Sequence, residues 1–139
     1  MKNQILVCTH GRFGEAMIRS AEMIIGPMEH AKAFSLLPGM DPFEYRQQIQ
    51  DYVEEQEDTA FLCLADLYGG SPSNMLASLC GKDNIEVVSG LNLPMLIEAY
   101  SQLEVLEPGR LKEEIMAAHG NSCVDVKEKL METLRNKEG

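Results

Sequence analysis

The sequence predicts an α/β protein built on an open, doubly wound, mainly parallel sheet. Three observations lead there. The apolar runs at residues 5–8 and 60–65 are short and unbroken, the pattern of strands buried on both faces. Other stretches carry apolar residues at helical spacing. The two kinds of stretch alternate along the chain, which implies βαβ units with right-handed crossovers.

The elements follow in order. Residues 5–8 (Ile-Leu-Val-Cys) form strand 1, which ends at Thr9-His10-Gly11. From Gly14 the apolar residues Ala16, Met17, Ala21, Met23, Ile24 and Ile25 recur as on a helix, and Gly26-Pro27 stops it. Residues 31–37 are a second strand, closed by Pro38-Gly39. Asp41 then caps a helix whose first residue is Pro42 and whose apolar stripe is Tyr45, Ile49, Tyr52 and Val53. Residues 60–65 are the third strand, ending at Asp66. Gly69-Gly70 turns the chain into a helix with Ser71 as N-cap and Pro72 first, running to about Cys80. Residues 85–88 are a fourth strand, followed by helices to about Gln102 and over 108–118. Residues 121–126 are expected as a short fifth strand before a terminal helix, and 133–139 as a polar, frayed tail. The expected architecture is flavodoxin-like, with strand order beginning 2-1-3-4 and the remaining 1–132 as a single domain.

Composition narrows the class of function. Lys plus Arg number 12 against 22 for Asp plus Glu, a formal charge of −10. That balance argues against nucleic acid or an anionic membrane surface as partner, since both require a basic face. No apolar run approaches the roughly 18 residues of a membrane span. The apolar run at 5–8 is too short for a secretory signal, so a cytoplasmic location is expected. Cys8, Cys63, Cys80 and Cys123 are widely spaced with no CxxC, and are expected to be buried, reduced thiols.

In a sheet of order 2-1-3-4 the chain leaves strands 1 and 3 in opposite directions. Ligands bind in the crevice beyond their carboxyl ends. There the topology brings together His10 and Asp66. A carboxylate that accepts a hydrogen bond from one ring nitrogen fixes the tautomer and leaves the other nitrogen nucleophilic. Such a pair could attack an acyl, glycosyl or phosphoryl group. Gly69-Gly70-Ser71 at a helix start favours the last, because free N–H groups and a positive dipole end suit a phosphate. With no Walker lysine and no GxGxxG, a single phosphoryl group fits better than a nucleotide. Thr9 joins Gly69, Gly70 and Ser71 as a candidate phosphate contact, and Arg12 is a candidate for phosphate neutralisation or docking. Phe13 and Met17, beside His10, are candidates for a docking patch. His30 and His119 read as surface histidines, and no metal site or cofactor is expected.

Three motifs then carry a resemblance. Thr9-His10-Gly11 with Gly14-Glu15 and Ser20–Gly26, the stretch from Asp66 to Asn74, and Gly90-Leu91-Asn92-Leu93-Pro94-Met95-Leu96 resemble, in order, the mannose-family IIA (EIIA) proteins of the bacterial phosphoenolpyruvate:sugar phosphotransferase system (PTS). The resemblance implies a phosphotransferase that takes a phosphoryl group on His10 from the histidine phosphocarrier protein HPr. It would pass the group to a IIB subunit of a sugar transporter. Asp66 would hold Nδ1, and Ser71 would bond the phosphate carried on Nε2. Family members are typically homodimers that exchange a C-terminal strand, here 121–126. The nearest alternative is the phosphocarrier subunit of dihydroxyacetone kinase. A histidine phosphatase would carry Arg before the histidine, where this chain has Thr9. A phospho-aspartate receiver would need an acidic pair at the end of strand 1 to hold Mg²⁺.

Overall fold

The computed structural model describes residues 2–138. Four parallel strands lie in the order β2-β1-β3-β4. They are β1 (Lys2–His10), β2 (Ala31–Leu36), β3 (Thr59–Ala65) and β4 (Ile85–Ser89). The helices are α1 (Phe13–Ile25), α2 (Pro42–Glu55), α3 (Ser71–Ala77), α4 (Leu93–Ser101), α5 (Pro108–Ala118) and α6 (Val126–Glu138).

The alternation of side chains along β1 and β3 divides the core in two. Ile5, Val7, Leu62 and Leu64 face one way and pack with Ala21 of α1, Leu96 and Ala99 of α4, and Leu111 and Ile115 of α5. Leu6, Cys8, Phe61, Cys63 and Ala65 face the other way. They pack with Tyr45, Ile49 and Val53 of α2 and with Leu76 of α3. Every residue of β3 is buried, which is why its sequence is a continuous apolar run rather than an alternating one. Tyr45, fully buried, satisfies its hydroxyl by donating to the Phe34 carbonyl at 2.8 Å.

Helix starts follow local chemistry. Asp41 Oδ1 accepts from Phe43 N–H at 2.9 Å and Asn92 Oδ1 from Met95 N–H at 2.8 Å. Each cap is followed by a proline in the first turn, where a missing N–H costs nothing. At α3 the N-cap is Gly70 and not Ser71, which is the first helical residue. That helix also ends at Ala77, and turns carry the chain on through Cys80.

The C-terminal segment departs from expectation. No strand forms over 121–126: His119–Ser122 is a single 3₁₀ turn, and α6 begins at Val126. β4 is an outer strand with one side unpaired, and residues 121–126 do not add to it. Residues 133–138 continue α6 rather than trailing from it, and no residue of α6 is buried. Among the described residues no helix is long and apolar enough to cross a membrane.

Candidate functional site

Strand register places the site. Cys8 of β1 lies opposite Ala65 of β3, so two more residues along β1 and one beyond β3 bring the two strand ends to the same crevice. His10 is the last residue of β1 and Asp66 directly follows β3. Asp66 Oδ2 accepts two hydrogen bonds from His10, one from the backbone N–H and one from ring Nδ1, both at 2.9 Å. An ionised carboxylate only accepts, so Nδ1 is the protonated nitrogen and Nε2 carries the lone pair. The double anchorage fixes both the backbone and the ring of His10 to one oxygen.

The two partners differ in exposure. The His10 side chain is 48% exposed and that of Asp66 only 13%. The other oxygen, Asp66 Oδ1, is buried and has no hydrogen-bond partner among the described residues. An acceptor left so carries a desolvation cost of about 1–3 kcal/mol. An open imidazole on a largely buried carboxylate suits exchange of a group with a macromolecule better than enclosure of a small substrate. The cavity of about 240 Å³ between α4, α5 and the 3₁₀ turn is lined by Asn92, Glu98 and His119, among others, and not by His10 or Asp66.

The loop after Asp66 closes the crevice. Gly69 has φ +84°, a conformation that favours glycine. It turns the chain so that Gly70 comes against the imidazole. The first turn of α3 leaves the N–H groups of Ser71 and Ser73 without intrahelical acceptors, and Pro72 has none to offer.

Two of the expected contacts lie elsewhere. Thr9 is fully buried; its hydroxyl accepts from Gly14 N–H at 2.9 Å and donates to the Gly11 carbonyl at 3.3 Å. It braces the β1–α1 turn and does not offer its hydroxyl to a phosphate. The reason is the strand period: neighbours on β1 point to opposite faces, so Thr9 faces α1 while His10 faces the α3 side. Alternation alone could have shown this. Arg12 pairs with Glu15 at 3.1 Å. Glu15 also accepts from the Ser35 hydroxyl at 2.9 Å, and that bond, followed by Arg12, holds its carboxyl below the usual range.

Around the site Phe13, Leu67 and Tyr68 are exposed, Tyr68 at 87%. Met17 instead packs partly buried against the core. Leu67 and Tyr68 escaped the sequence reading because they stand inside a motif read for its glycines. His30 and His119 are exposed, as expected.

The family comparison spans the stretch of chain that holds these residues. The profile of the family described as the PTS system fructose IIA component matches residues 4–116. The mannose-specific EIIAB component of Escherichia coli is 31% identical over 96 residues, 68% of this chain. That match covers only 30% of the Escherichia coli protein, which is much longer. The sorbose-specific EIIA component of Klebsiella pneumoniae is 28% identical over 86% of this chain and 88% of its own length. A solved EIIA from Streptococcus agalactiae superposes with a TM-score of 0.83 at 29% identity, covering 91% of this chain and 98% of that one.

Proposed function

This chain belongs to the mannose-type EIIA family, the IIA components of the sugar phosphotransferase system, and from that premise we propose that it relays a phosphoryl group on His10. The observation that carries the proposal is the Asp66 carboxylate on Nδ1 at 2.9 Å, which leaves Nε2 as the free nucleophile on a half-exposed ring.

The relay begins when a phosphohistidine on HPr approaches the crevice. The Nε2 lone pair of neutral His10 attacks the phosphorus as the donor's P–N bond breaks, with donor and acceptor nitrogens in line. Asp66 stabilises the positive charge that the ring gains. The free N–H groups at the start of α3, with the Ser71 hydroxyl beside them, hold the phosphoryl oxygens. Placement of the two nitrogens supplies most of the rate, since little other chemistry is required. A second transfer of the same kind passes the group to a IIB subunit. Phe13, Leu67 and Tyr68 supply apolar contact for both partners, and the charge of −10 favours a basic docking face on them. The protein acts in the cytoplasm as a homodimer, and the reaction needs neither metal nor cofactor.

The test is phosphorylation from phosphoenolpyruvate through the general first enzyme of the system and HPr, followed by intact mass. One acid-labile, base-stable phosphate is expected, and none in His10→Ala. Phosphate retained by His10→Ala would place the acceptor elsewhere and overturn the relay.

A further inference from the structure

We infer that Gly70 is a positioning residue for His10, and that its lack of a side chain serves the imidazole rather than the backbone. This rests on the relay proposed above and adds to it a second wall for the ring.

The backbone of Gly70 is at φ −79°, ψ 165°, extended geometry open to any residue. It contrasts with its neighbour Gly69, whose φ of +84° itself accounts for a glycine. At Gly70 the constraint is space. A Cβ there would lie 2.6 Å from Cε1 of His10 and 3.3 Å from Nε2. A contact at the first distance is shorter than carbon atoms tolerate, so the ring would have to move. The same Cβ would lie 3.3 Å from the Leu67 carbonyl oxygen, which limits retreat of the loop.

The ring is therefore held on two sides. Asp66 holds the Nδ1 edge by a hydrogen bond, and the bare Cα of Gly70 bounds the Cε1–Nε2 edge. A hydrogen bond alone leaves the ring free to tilt about the Nδ1–Oδ2 direction. The Gly70 wall limits that tilt and so sets where the Nε2 lone pair points. In-line transfer depends on that direction.

Two measurements test this. In the unmodified protein the Hε1 proton of His10 should show a strong nuclear Overhauser contact with the Gly70 α protons. Its absence would overturn the inference, whatever becomes of any variant. In Gly70→Ala, kcat for phosphate uptake from HPr should fall by about 10²-fold, with the donor KM held, because the reacting atom is misplaced. The ring nitrogen signals of His10 should shift, while the melting temperature stays near that of the unmodified protein, because the displaced group is an open side chain. Uptake at the unmodified rate with unchanged ring signals would sink the inference, as would a loss confined to KM. If the unmodified protein itself takes no phosphate, the relay reading fails, and the Overhauser contact alone decides the ring's wall.

Discussion

Asp66 concentrates opposed demands in one carboxylate. Its Oδ2 serves the backbone and ring of His10 together, while its Oδ1 lies buried without a partner among the described residues. A fold selected for stability alone would not retain a half-satisfied buried charge. Asp66→Asn tests the trade. The amide oxygen can still accept from Nδ1, but it carries no charge to stabilise the imidazolium. Phosphoryl uptake should fall by roughly 10²-fold or more, on the scale of losing a catalytic acid–base partner. The melting temperature should hold or rise, because a neutral amide costs less to bury than a carboxylate. A variant that is both fully active and less stable would show Asp66 to be structural.

The β1–α1 connection is the element that presents His10, and Thr9 is its brace. The N-cap position of α1 is Arg12, which makes no side-chain capping bond, so the Thr9 hydroxyl takes the Gly14 N–H in its place. Gly14 is itself packed tightly, since a Cβ there would lie 2.9 Å from Cγ1 of Val7. Thr9→Val keeps the shape and deletes the acceptor. It should lower unfolding free energy by about 1 kcal/mol, the scale of losing a helix cap, as read from urea denaturation. An unchanged urea midpoint would mean that water replaces the hydroxyl. At the other end of the chain, α6 shows how an element can exist without the core. Its Val126, Leu130, Met131 and Leu134 remain exposed, so it adds length to the fold and little buried area.

Across the whole molecule, the two-sided core separates the cysteines into two classes. Cys8 and Cys63 stand on buried strands; burial pushes the Cys8 thiol up to about 12 and raises Cys63 as well. Both stay protonated and enclosed at neutral pH. Cys80 and Cys123 are exposed. A thiol-reactive probe at neutral pH should therefore label two sites in the native protein and all four after denaturation. The slower pair should react at the rate of global unfolding. Fast labelling of all four would show that the β1–β3 centre opens locally.

The sequence by itself determined the order of strands and helices, because strands buried on both faces must be apolar throughout and prolines mark helix starts. Residues 60–65 and the pairs Asp41-Pro42 and Asn92-Leu93-Pro94 carry that information locally. It also brought His10 and Asp66 together, since the 2-1-3-4 order leaves one crevice between the first and third strands. Tertiary structure decided what depends on a partner distant in sequence. Residues 121–126 are expected as a strand, yet strand formation requires pairing with a neighbour, and in the folded chain this segment pairs with neither outer strand, β2 or β4. Cys80 follows the apolar Leu76 and Leu79 in sequence, but it is exposed, because burial depends on what packs over a residue. The loop after Asp66 reads as glycine-rich, yet only the folded chain distinguishes Gly69, required by its backbone angle, from Gly70, required by the histidine ring against it. Local order is written in propensity and period, whereas contact between distant residues is set by packing, and the site consists of such contacts.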